Sequence, residues 1–217
     1  MAWFFGKKKT ALEPKLEPAE QLDEPQETAA ETTATTGPWD EADHPDTAGL
    51  LDAGSLLIPN IADATLQFSI DARTQRPLGV VYLKNGSALQ IQAFAAPRSA
   101  GIWDSVRLDM MTSIANQGGS STEQEGPFGT ELHAQMPVPN SKSFAPHRFL
   151  GIDGPRWLLR ATIYGRAGSD EQAAAEMIDI LREIVVVRGQ NPHPPRELLP
   201  LEIPQPGKTA AADSNRG

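Results

Sequence analysis

"PLGVVYLKNGSALQIQAF", residues 77–94, decides the fold. Two β-prone runs flank Asn85-Gly86, a pair that favours the positive backbone angles of a tight two-residue turn. The spacing predicts an antiparallel hairpin. In its second arm Leu89, Ile91 and Ala93 point one way, and Gln90 and Gln92 the other. The sheet built on it therefore has one apolar and one polar face.

Working outward, the same period recurs on both sides. Upstream, Leu66, Phe68 and Ile70 alternate with Gln67, Ser69 and Asp71. Downstream, "TELHAQMPV" (130–138) sets Leu132, Ala134 and Met136 against Glu131, His133 and Gln135. "GIDGPRWLLRATIYG" (151–165) predicts a second hairpin, with Arg148–Ile152 leading in, Asp153-Gly154-Pro155 turning, and Trp157–Tyr164 leading out. Trp157, Leu159, Ala161 and Ile163 form the apolar face of that outgoing arm. Arg156, Arg160, Thr162 and Tyr164 share the other, with Leu158 among them.

Two helices interrupt the strands. Trp103, Val106, Met110 and Ile114 recur near helical spacing over 100–117, with Gly118 and Gly119 as a stop. "GSDEQAAAEMIDILREIVVVRG" (168–189) opens with Ser169 and Gln172 at capping-box spacing, and its stripe is Ala173, Met177, Ile180, Leu181 and Ile184. Hairpin connections without repeated βαβ units predict the α+β class: one mostly antiparallel sheet with two helices packed on one apolar face. That arrangement resembles the Mog1/PsbP-type sandwich, a likeness of architecture that carries no function.

The ends read differently. Residues 1–47 are expected to be a disordered acidic tail, because Pro, Glu, Thr and Ala dominate without apolar period and too little surface can be buried to offset ordering. Before Thr47, eleven acidic residues face four lysines. Trp39 in "GPWD" is the exception, a large aromatic that seeks a pocket in its own domain or elsewhere. Residues 48–204 form the expected single domain, closed by a proline-rich strap in which "LLPLEI" (198–203) lies extended; residues 205–217 are expected to be a second disordered tail.

Composition excludes several chemistries. The chain of 217 residues has no cysteine, which removes disulfides, thiolate catalysis and cysteine metal sites, and fits a cytoplasmic address. A net charge of −9 provides no broad basic footprint for nucleic acid. There is no phosphate-cradling glycine motif, no HExxH and no GxSxG, and His44, His133, His147 and His193 are scattered without ligand spacing. No cofactor, metal or catalytic residue is expected. "MAWFFGKKK" (1–9) places three aromatics beside three lysines, a pattern for weak contact with an anionic membrane surface.

One constellation stands out. Glu131 and His133 share one side of a strand. If register brings them beside Arg156, Arg160 and Tyr164, the polar face becomes an anion pocket, with the arginines as forks and His133 as proton carrier. Otherwise these residues are cross-strand ion pairs on a solvated surface, at about 0.2–1 kcal/mol each.

"LDAGSLLIPN" (51–60), "ALQIQAFAAPRSAGIWDSVR" (88–107), "GGSSTEQEGPFGTELHAQMPV" (118–138), "GIDGPRWLLRATIYG" (151–165) and "VVVRG" (185–189) with "PHPPRELLPLEIP" (192–204) together resemble an actinobacterial family of conserved cytoplasmic proteins that share a domain of unknown function. The resemblance spans about residues 47–204 and implies domain limits; the family supplies no activity or site residues. From the missing catalytic motifs and the acidic tail, the leading expectation is a non-catalytic protein-binding or scaffold module. The alternatives are a small-molecule or anion-binding domain, or an enzyme, using the polar sheet face around Arg156 and Arg160, and membrane recruitment through residues 1–9.

Overall fold

The computed structural model describes residues 36–44 and 46–204. Of the tails expected at 1–47 and 205–217, residues 1–35, 45 and 205–217 lie outside the described residues, and with them the aromatic–lysine peptide 1–9. Among the described residues, eleven strands and two α-helices follow in the order β1 (Trp39–Asp40), β2 (Leu51–Asp52), β3 (Leu56–Ile58), β4 (Thr65–Ile70), β5 (Pro77–Lys84), β6 (Ser87–Ala95), α1 (Trp103–Asn116), β7 (Ser120–Gly126), β8 (Gly129–Pro137), β9 (Phe144–Gly154), β10 (Trp157–Gly165), α2 (Glu171–Arg182) and β11 (Val185–Val186). The class is α+β.

The hairpin at 77–95 forms as its turn dictates, with Asn85 at φ 51 and Gly86 at φ 76. It seeds a wholly antiparallel seven-stranded sheet, in the order β4-β5-β6-β10-β9-β8-β7. A small four-stranded sheet, β1-β11-β3-β2, includes a parallel pair, β1 with β11.

Register sorts the side chains of the large sheet onto two faces. Val80, Leu89, Ile91, Ala93, Leu150, Leu159, Ala161 and Ile163 are buried on one, against Ala173, Ala174, Met177, Ile178, Ile180 and Leu181 of α2. Phe94, Phe149, Leu158 and Leu132 lie on the other, against Ile102, Trp103, Val106, Met110 and Ile114 of α1 and its start. The two helices thus cover opposite faces, a correction to the single covered face expected from the sequence. The physical reason is that the polar face carries its own apolar patch. Leu158, Phe94 and Phe149 give the Trp103–Met110 stripe somewhere to bury.

Two local features also depart from expectation. The N-cap of α2 is Asp170, whose carboxylate accepts from Ala173 N–H at 3.0 Å, one residue after the Ser169 that the capping-box spacing suggested. Residues 36–44, placed in the tail by composition, pack into the fold. Trp39 N–H donates to the Ile184 carbonyl at 2.9 Å, and the Trp39 side chain rests on Leu57, Val185 and Val187. Asp40 accepts from the Trp157 indole N–H at 2.6 Å. Trp39 therefore docks on its own domain. The strap runs beside β6, with Leu199 N–H donating to Ala93 and Ala95 N–H to Glu197, and buries Leu199 and Leu201.

The start of α1 lacks a local capping side chain; the cap comes from the turn region before β10. Asp153 Oδ1 accepts from Ile102 N–H at 2.8 Å and Oδ2 from Trp103 N–H at 3.1 Å. Both orphan donors are satisfied by one carboxylate at the end where the helix dipole favours it. Asp153→Ala is expected to lower unfolding free energy by about 1–2 kcal/mol in urea denaturation, and Asp153→Asn to recover part of the loss. A neutral result for Asp153→Ala would show that this carboxylate does not cap α1.

Candidate functional site

The predicted constellation divides between the two faces. β9 lies between β8 and β10, and its register pairs Ile163 with Arg148 and Arg148 with His133. Glu131 and His133 therefore share the α2 face with Ile163. Arg160 and Tyr164 point to the α1 face. A strand's side-chain parity reverses with a one-residue shift of register, and nothing in the β8 or β10 segment alone reveals the phase of β9 between them.

On the α2 face, Glu131 joins a buried ionic group. Its Oε1 accepts from Arg148 Nη2 at 2.7 Å and Nε at 3.0 Å, and also contacts His133 Nε2. Arg148 reaches on to Glu171 at 3.0 Å. Glu131 and Arg148 are 2% and 5% exposed, so this pair is interior structure, and the sequence reading missed Arg148. An arginine in an alternating strand looks solvent-facing until the helix above it is placed.

Arg156 occupies a third location. It stands at φ 67 in the β9–β10 turn after Pro155, a proline-then-positive-φ pattern of type II turns. Its carbonyl accepts from Ala96 N–H at 2.9 Å and Arg188 Nε at 3.1 Å, which binds the turn to the strap side of the domain.

Arg160 sits beneath α1 in a two-lobed cleft. One lobe, about 300 Å³, is lined by Phe94, Ile102, Val106, Met110 and Leu158, with Asp109 and Arg196 also in its lining. The other, about 400 Å³, is lined by Gln90, Gln92, Gln117, His147, Thr162 and Tyr164 among others. Arg160, Met110 and Ser113 belong to both. These are ligand-sized volumes. The second lobe has an aromatic row: His147 stacks on Tyr164 with centroids 5.3 Å apart, and on Phe149 at 6.1 Å.

The electrostatics of Arg160 are unusual. Its Nη2 donates to Gln92 Oε1 at 2.5 Å, and the Gln92 amide is held by its own Nε2 donating to the Leu78 carbonyl at 3.0 Å. The Phe94 ring covers the guanidinium at 4.9 Å. Nε is buried with no partner, and among the described residues no carboxylate pairs with this arginine. Burial holds its pKa below the usual arginine value. The other arginine of the cleft, Arg196, is already paired with Asp109 at 2.6 Å. Of these cleft residues the sequence singled out Arg160 and Tyr164. The Gln90 and Gln92 alternation was the available signal for the rest, and α1 was read only as core.

A family model described as "protein of unknown function (DUF3710)" matches residues 37–210. The chain belongs to that family. The match begins at Gly37, so the DUF3710 region includes the segment through which Trp39 packs on the domain. No curated protein matches the chain. Among the described residues, no helix is long and apolar enough to cross a membrane.

Proposed function

We propose that this domain binds a small organic anion in the cleft between α1 and the sheet, with Arg160 as the anchoring cation. The observation that carries the reading is the buried Arg160 Nε, which has a donor to spare and no carboxylate opposite it. A desolvated charge without a counter-ion is costly, and an anion entering the cleft would supply the missing partner through a charge-assisted hydrogen bond. Gln92 and Phe94 hold the guanidinium in place beforehand, so little ordering is required on binding. Arg156, in the turn, has no part in this site.

The protein-partner reading drawn from the sequence rested on the missing catalytic motifs and the acidic segment before Thr47, neither of which marks a binding surface. The cleft therefore takes precedence. The test is a thermal-shift screen with monocarboxylates and phosphate monoesters on the full chain. A true ligand at a hundred times its Kd stabilises by about 2.7 kcal/mol, roughly 5–10 °C for a domain of this size. The shift is expected to vanish in Arg160→Gln and persist in Arg156→Gln. A panel without effect, or a shift that survives Arg160→Gln, would sink the reading.

A further inference from the structure

We infer that the anion is a monocarboxylate bearing an apolar chain, its carboxylate on Arg160 and its chain in the lobe beneath Ile102 and Val106. This rests on the reading of the cleft as an anion site and goes further, to the chemical class of ligand.

Charge comes first. Of the two arginines in the lining, Arg196 is neutralised by Asp109, which leaves Arg160 as the uncompensated cation among the described residues of the cleft. One positive charge in a partly desolvated place matches a monoanion. A phosphate monoester near neutral pH would bring a second negative charge with no partner and the desolvation cost that follows. The approach is also restricted. Phe94 lies over the guanidinium and Gln92 takes a donor of Nη2, so an anion meets Arg160 at an edge, and the flat fork of a carboxylate suits an edge.

The lobe beneath Ile102 and Val106 suits the ligand's chain. Phe94, Ile102, Val106, Met110 and Leu158 give this lobe an apolar wall, with Ser113 and the Asp109–Arg196 pair also in its lining. A hydrocarbon chain fills such a space favourably, in proportion to the area it removes from water. The other lobe mixes Gln90, Gln92 and Thr162 with Ile114, Met136 and Phe149, and accommodates solvent or polar substituents of the ligand.

Isothermal titration of the full chain with butyrate, octanoate, octyl phosphate and 1-octanol tests this assignment. Each buried methylene is worth about fourfold in affinity, so octanoate should bind on the order of a hundredfold more tightly than butyrate. Octyl phosphate above pH 7.5 should bind at least tenfold more weakly than octanoate, and 1-octanol more weakly still. Val106→Phe, which fills the lobe, should remove the advantage of octanoate and spare butyrate; Arg160→Gln should abolish both. The chain-length series on the unmodified protein decides the matter even if Val106→Phe does not fold. Equal binding of butyrate and octanoate, both lost in Arg160→Gln, would leave the anion site standing and overturn the apolar-chain assignment. Tighter binding of octyl phosphate would overturn the monoanion assignment. Failure of every carboxylate to bind would overturn the anion site itself.

Discussion

Arg148→Met is expected to lower the unfolding free energy by about 3–5 kcal/mol in urea denaturation, among the largest effects of any conservative-volume change in this domain. The arginine holds Glu131 Oε1 through two donors, at 2.7 and 3.0 Å, in a place where both residues are almost wholly buried. Glu131 Oε2 is also buried and has no partner. Without Arg148 the carboxylate would keep only its contact with His133, and an uncompensated charge in low dielectric is far more costly than the pair is favourable. Adding Glu131→Gln to Arg148→Met should recover part of the loss. Glu171→Ala should cost under about 1 kcal/mol, because its carboxylate is largely solvated. The comparison separates an interior ion pair from a working site. A cost below about 1 kcal/mol for Arg148→Met would mean that the carboxylate is not desolvated as its position indicates.

Gly151→Ala should be comparably damaging for a steric reason. Gly151 lies in β9 opposite Arg160, directly beneath the Trp103 indole, and a Cβ there would overlap the ring. The ring cannot easily move aside. Its Nε1 donates to the Thr130 carbonyl at 2.7 Å, and its backbone N–H is held by Asp153. Overpacking usually costs 1–3 kcal/mol, and here the strain is expected at or above the top of that range because α1 must lift as a unit. The midpoint of thermal unfolding should fall by roughly 6–12 °C. Near-ultraviolet circular dichroism should also lose the signal of an ordered indole. Since α1 roofs the cleft, the same variant should weaken any ligand held by Arg160. An unchanged midpoint would show that Trp103 has room the packing does not display.

These two positions illustrate how unevenly the molecule can be read from its residues. The alternation in β8 correctly separates Leu132, Ala134 and Met136 from Glu131 and His133. The alternation in β10 correctly separates Leu159, Ala161 and Ile163 from Arg160 and Tyr164. Neither shows that the two polar sets face opposite ways. Gly151 gives no local sign that an indole will cover it, and Asp153 none that it caps a helix fifty residues before it in the chain.

What the residues determined by themselves is therefore mostly local: the Asn85-Gly86 hairpin, the two helical stripes, the α+β class and the strand faces taken one at a time. Those follow from backbone preference and from periods of 2 and 3.6 residues, which act over a few positions. The tertiary structure alone decided the phase between strands, the burial of the Glu131–Arg148 pair, the docking of Trp39 on β11 and the roofing of Arg160 by α1. Each of those depends on which distant segment arrives next to a residue, and register, desolvation and steric overlap come into being only at that contact.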